Sequence, residues 1–198
     1  NGVAGFILAN GALSGGGEEY KIRKKLIENN LVEAIIILPQ DMFYTTNISV
    51  TLWILNRNKT EQEKNIDDIT WDYRNREEEI LFMDLRQIGV PFEKKYIQFS
   101  EEQVERVANT FHQWQIVDGD YQDEPEYAYA AKKEEIIKKD YSLVPSKYIQ
   151  FINRDEEFDY SEKMTGLQSE LSDLLQKQVE SNQKLQEVFK NLGYEIKL

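Results

Sequence analysis

Residues 31–38 read LVEAIIIL and end at Pro39. A short apolar run closed by a chain breaker reads as a strand buried on both faces, and such strands belong to α/β sheets with helices on either side. Residues 2–9, GVAGFILA, read the same way. Between the two runs, residues 18–29 are spaced for a helix, with Tyr20, Ile22, Leu26 and Ile27 on one stripe. Glu18 and Glu19 sit at the positive end of its dipole and Lys24 and Lys25 further along. Asn29-Asn30 is its stop, because Asn tolerates a left-handed conformation. Residues 48–55, ISVTLWIL, add a third strand rich in β-formers, and residues 79–85, EILFMDL, a fourth. Residues 56–75 are polar and charged and read as an excursion or flap. The order is therefore β-α-β-β with a late extra strand, an α/β pattern.

After residue 100 the character becomes helical. Residues 101–115 predict a helix with Val104, Val107, Ala108 and Phe111 on one side. Residues 118–126 form an acidic turn, residues 132–139 a short helix, and residues 141–149 an extended stretch broken by Pro145. Residues 160–192 read as one long helix. In it Met164, Leu167, Leu171, Leu174, Leu175, Val179, Leu185, Val188, Phe189 and Leu192 recur at three- and four-residue steps, and Gly193 is the stop. A lone helix of this length is not stable, so its apolar stripe needs a cover.

Composition narrows the function. The 198 residues suit one or two domains with a core, and the net charge of −12 makes the chain a poor autonomous binder of duplex DNA. If it touches nucleic acid, a partner or a further segment supplies the positive surface. The lack of cysteine excludes thiol chemistry and fits a cytoplasmic location, and a single histidine excludes a His-rich metal site. No run approaches the ~20 apolar residues of a membrane span, so no membrane partner is expected. The chain begins with Asn1 rather than Met, which leads us to expect sequence upstream.

Four stretches invite a chemical reading. Residues 10–26, NGALSGGGEEYKIRKKL, contain a Gly-rich bend. They match neither the dinucleotide pattern G-x-G-x-x-G nor the P-loop, and two acids at the helix start repel phosphate, so the bend reads as a turn feeding a helix. Without a phosphate-binding motif a stand-alone nucleotide hydrolase is excluded. Residues 118–126, DGDYQDEPE, have calcium-like acid spacing but lack the closing Glu, and read as a solvated turn. His112, beside Trp114, reads as a packed or surface histidine. Residues 38–47, LPQDMFYTTN, join two buried strands at the edge where α/β proteins place ligands. Phe43 and Tyr44 there either stack on a nucleobase or plug the sheet end, and the residue types alone do not choose.

Three segments, in order, resemble the modification (methyltransferase) subunit of type I restriction-modification systems, an adenine-N6 DNA methyltransferase. They are GFILANGALSGGGEEYKIRKKLIENNLVEAIIILP, MFYTTNISVTLWILNRNK and IIKKDYSLVPSKYI. Ala9 stands where the family usually has proline. The family's acidic Gly-rich cofactor turn and its catalytic [DN]-P-P-[FYW] motif are not in these residues; the prolines, at 39, 91, 125 and 145, are unpaired. The resemblance therefore implies the C-terminal portion of such a subunit. Residues 1–100 would be the C-terminal part of a Rossmann-like, S-adenosylmethionine-dependent methyltransferase sheet, and residues 101–198 a helical region with a long terminal helix for subunit docking. The S-adenosylmethionine site and the catalytic Asn or Asp would lie upstream, with no catalytic, cofactor-binding or metal-ligating residue here. Such enzymes flip the target adenine out of the duplex, and by position Phe43 is its stacking aromatic, with Tyr44 second. The implied partners are a specificity subunit docked on the terminal helix, a restriction subunit, and DNA through the complex. The reading from another class is a non-catalytic α/β and helical module that assembles a multi-subunit complex; the aromatic loop separates the two.

Overall fold

A computed structural model describes residues 2–66, 68–93, 95–152 and 160–191. In chain order the elements are β1 (Val3–Ala9), a 3-10 turn (Asn10–Leu13), α1 (Gly17–Glu28), β2 (Val32–Ile37), β3 (Val50–Asn56), β4 (Gln62–Ile66), β5 (Ile69–Tyr73), β6 (Glu79–Asp84), β7 (Val90–Phe92), β8 (Tyr96–Gln98), α2 (Glu101–Gln115), β9 (Ala128–Lys132), α3 (Lys133–Lys138), a 3-10 turn (Pro145–Lys147) and α4 (Tyr160–Asn191).

The main sheet has the order β1-β3-β2-β6-β9. β2 and β6 run parallel, while β1 with β3, β2 with β3, and β6 with β9 are antiparallel. β2 is buried along its whole length, as its apolar run predicts. Successive side chains on a strand point to opposite faces, so each central strand feeds two cores. Ile35, Ile80 and Phe82 join Leu13, Ile27, Ile136 and Tyr148 on one face. Ala34, Ile36, Leu81 and Met83 join Trp114 and Tyr127 on the other. Burial of each large apolar side chain stabilises by about 1.5–3 kcal/mol. The sheet is therefore a two-faced α/β sheet, although only one of its pairings is parallel.

Several readings from sequence are corrected by packing. The run at residues 2–9 predicts a strand buried on both faces, yet all seven residues of β1 are exposed. β1 is the edge strand: Phe6 stacks on Trp53, but Val3 and Ile7 stay 62% and 48% exposed. Residues 56–75 hold the β4–β5 hairpin, and β5 is tied to the end of α2 through a Tyr73–Ile116 bridge and the Val117 N–H donating to the Asp72 carbonyl. β9 has no counterpart in the sequence reading. Residues 141–149 are not simply extended: Pro145 opens a 3-10 turn that stacks Tyr148 on Phe82 at 4.2 Å. On α1, Ile22 is exposed and Arg23 is buried, because Arg23 reaches back to the turn before the helix. On α2 the inward side runs through Val107, Phe111 and Trp114, leaving Val104 and Ala108 exposed. A Ser100–Gln103 capping box starts that helix.

By contacts the chain divides into Asn1–Ile152 and Asn153–Leu198. A break at residue 100 is not what the packing shows, since α2 covers one sheet face and β9 extends the sheet beside β6. The second unit is described by α4, a helix of 32 residues whose Leu167, Leu171, Leu174, Leu175 and Val179 are all exposed. The predicted helix end at Leu192 and Gly193 lies outside the described residues. Among the described residues no helix is long and apolar enough to cross a membrane.

Candidate functional site

The registers Ala9–Val50, Ile37–Thr51 and Ile37–Asp84 bring the carboxyl ends of β1, β2 and β6 to one edge. That edge of an α/β sheet is where ligands bind. Three connections crowd it: the turn after β1, the loop after β2, and the β7–β8 hairpin after β6.

The turn after β1 is fastened from inside. Arg23 donates to the carbonyls of Ala12 (3.1 Å) and Gly15 (3.0 Å) from Nη1, and to that of Tyr141 from Nε (2.8 Å). Burial pulls the Arg23 pKa below its ordinary value, opposed by Tyr20 and Asp140. A Cβ at Gly15 would fall 1.9 Å from the Glu19 carboxylate. The turn thus presents carbonyls to a guanidinium and stands beside a carboxylate, which is a poor donor set for phosphate.

The loop after β2 is built differently. Ser49 Oγ donates to the Leu38 carbonyl at 2.6 Å and closes its base. Asp41 takes a left-handed φ of 59°, which short polar residues tolerate, and the chain then turns outward. Phe43 and Thr46 form a tight bridge, with the Thr46 hydroxyl accepting from the Ile48 N–H at 3.3 Å. Phe43 is half-buried against the second core, and Tyr44 is 70% exposed. The two aromatics read from sequence therefore sit at different depths: one anchored, one at the rim.

The β7–β8 hairpin meets this loop. The Ile97 N–H donates to the Asp41 carbonyl at 3.0 Å, and Tyr96 meets Tyr44 edge-on with ring centroids 4.8 Å apart. The Lys95 ammonium lies 5.4 Å from the Tyr96 ring centroid. Together they bound a cleft of about 240 Å³ lined by Asp41, Phe43, Tyr44, Thr45, Thr46, Asn47, Lys95 and Tyr96. Beside it, at the end of β6, Arg86 grips the buried Asp84 carboxylate with Nη2 at 2.6 Å, and that hydrogen bonding holds the Arg86 pKa above its ordinary value. The cleft offers ring faces, several hydroxyls, an amide, the Asp41 carboxylate and one ammonium. Ring faces of this kind can stack on a planar aromatic group. Sequence reading passed over Lys95 and Tyr96, although VPF and YIQ flanking a charged E-K-K turn after Gly89 carry a hairpin signal.

At the opposite edge lies a buried polar cluster. A β-bulge between Val32 and Ala34 re-aims Glu33. Its carboxylate accepts from the buried Arg76 Nε (3.1 Å) and Asn56 Nδ2 (2.7 Å) and from the half-buried Gln115 Nε2 (3.0 Å). Lys59 donates to the carbonyls of Val32 (2.8 Å) and Glu79 (2.6 Å). Burial lowers its pKa to about 8, with Glu33 raising it and Arg76 lowering it further. The cluster pins the β4–β5 region to the sheet. His112 is packed edge-on to Trp71 at 4.3 Å, and residues 118–126 form a turn in which Asp123 accepts from Tyr121.

A sequence profile of the N-6 DNA Methylase family matches residues 1–157. The HindI methylase subunit of a type I restriction enzyme from Haemophilus influenzae is 32% identical over 98% of this chain, which spans 41% of that relative. The MjaIX methylase subunit of a type I restriction enzyme from Methanocaldococcus jannaschii is 30% identical over 98% of this chain and 33% of its own length. The crystal structure of the type I restriction-modification methyltransferase subunit from Streptococcus thermophilus superposes with a TM-score of 0.61 at 26% identity, covering 77% of this chain and 27% of that one. The chain thus spans less than half the length of these relatives, and it belongs to the N-6 DNA methylase family, alongside the methylase subunits of type I restriction enzymes.

Proposed function

We propose that this chain is the C-terminal portion of a type I DNA adenine methyltransferase subunit, and that its aromatic loop handles the target base. The observation that carries the reading is the Phe43–Tyr44 loop at the ligand edge of a sheet in a chain of the N-6 DNA methylase family. Phe43 stacks on the extruded adenine and Tyr44 closes over it, each such contact contributing about 1–3 kcal/mol.

The chemistry of methyl transfer belongs to residues upstream of Asn1. The turn after β1 does not fit S-adenosylmethionine, since its carbonyls of Ala12 and Gly15 are occupied by Arg23. The cofactor is assigned to an upstream turn, and these residues alone are inactive. The exposed apolar residues of β1 support the same reading, because an upstream strand and its helices would cover them. The exposed stripe of α4 is assigned to the specificity subunit, helix against helix, with DNA and a restriction subunit reached through that complex.

In the full-length protein with its specificity subunit, Phe43→Ala lowers adenine methylation by at least tenfold while the circular dichroism spectrum and melting temperature stay close to wild type. Unchanged methylation would remove the base-handling role.

A further inference from the structure

The β7–β8 hairpin has no part in the reading from sequence, yet it forms a wall of the cleft. Three observations place it there: the backbone bond from Ile97 to Asp41, the Tyr44–Tyr96 ring contact, and the cleft lining shared by Lys95, Tyr96, Phe43 and Tyr44. The hairpin's position is built in. Gly89 holds a φ of +128°, and a Cβ there would lie 2.3 Å from Ile97 Cγ2, so only glycine lets the strands close. Lys95 is exposed and makes no ion pair with the described residues, in a chain of net charge −12. Its ammonium lies over the face of Tyr96. Asp41 also lines the cleft but forms no ion pair with Lys95, and an ammonium at the mouth of an aromatic cleft is the arrangement that would hold a nucleotide by base and phosphate together.

We infer that this hairpin is a DNA-backbone contact: Lys95 pairs with a phosphate flanking the extruded adenine, and Tyr96 is a positioning residue that holds the Tyr44 ring over the cleft. The inference rests on the base-handling reading of the Phe43 loop. It adds a second element, and a second chemical group of the DNA, to that site.

The test uses the full-length protein with its specificity subunit and a duplex carrying 2-aminopurine at the adenine the complex methylates. Neutralising one phosphate adds about 0.9 to the salt slope of the logarithm of the binding constant. From about 50 to about 200 mM salt, wild type should therefore lose about 3.5-fold more affinity than Lys95→Ala, and Lys95→Arg should behave as wild type. Tyr96→Phe keeps the ring contact and should keep the 2-aminopurine fluorescence rise, which Tyr96→Ala should diminish. A salt slope unchanged in Lys95→Ala would overturn the phosphate contact. A full fluorescence rise in a folded Tyr96→Ala protein would overturn the positioning role. Either result, with Phe43→Ala inactive, removes only the hairpin's part; an active Phe43→Ala protein removes the base-handling reading beneath it.

Discussion

Lys59 shows how a single charge is made to depend on the fold. Its ammonium is interior, bonded to two strand carbonyls, and its pKa falls to about 8. The unfolded chain holds that proton up to about pH 10.4, so between the two values the unfolded state binds more protons than the folded one. Stability contributed by this site therefore rises with pH across that window and is lost as pH falls through 8. Measured by denaturant unfolding, wild type should gain up to about 3 kcal/mol on Lys59→Met between pH 7 and pH 10.4. Parallel pH profiles for the two proteins would show that Lys59 keeps an ordinary pKa. None of this is legible in the sequence, where Lys59 stands in a run of polar residues. Its burial comes from strands far along the chain. Glu33 was more readable: an acid inside LVEAIIIL has to find partners, and the bulge at Val32–Ala34 delivers it to Arg76, Gln115 and Asn56. Phe43 and Tyr44 could be singled out from their place between two strands, but their different depths depend on the core beneath the loop.

At the scale of elements, periodicity told most where one strand or one helix face is enough to satisfy the apolar residues. β2, β6 and α2 fall close to where their patterns put them. The pattern told least where burial is supplied by something distant in sequence. The apolar run of β1 looks interior and is an exposed edge; β9 is a short stretch that becomes a strand only because β6 is there to pair with it. β7 and β8 are three residues each and gain their place from Gly89 and the Asp41 loop. α4 carries the clearest pattern and the least internal support. Placing a charge within its stripe should disrupt an interhelical contact without touching the sheet. In the full-length protein, Leu171→Asp together with Leu174→Asp should abolish co-purification with the specificity subunit and leave cofactor binding intact. Retained co-purification would assign that contact to another surface.

At the scale of the whole molecule, the sheet, the exposed face of β1 and the share of each relative's length that this chain spans point the same way. Residues 1–152 carry a ligand edge with ring faces suited to stacking on a base. On the proposed methyltransferase function, a second part of the sheet, joined at β1, holds the cofactor and the catalytic motif. This is the account's central claim, and the coding sequence upstream of the Asn1 codon tests it most directly. The account predicts an in-frame [DN]-P-P-[FYW] motif preceded by a Gly-rich turn after a strand. An initiation codon immediately before Asn1, with no such motif, would contradict it and leave the chain as a module that assembles a complex without catalysis.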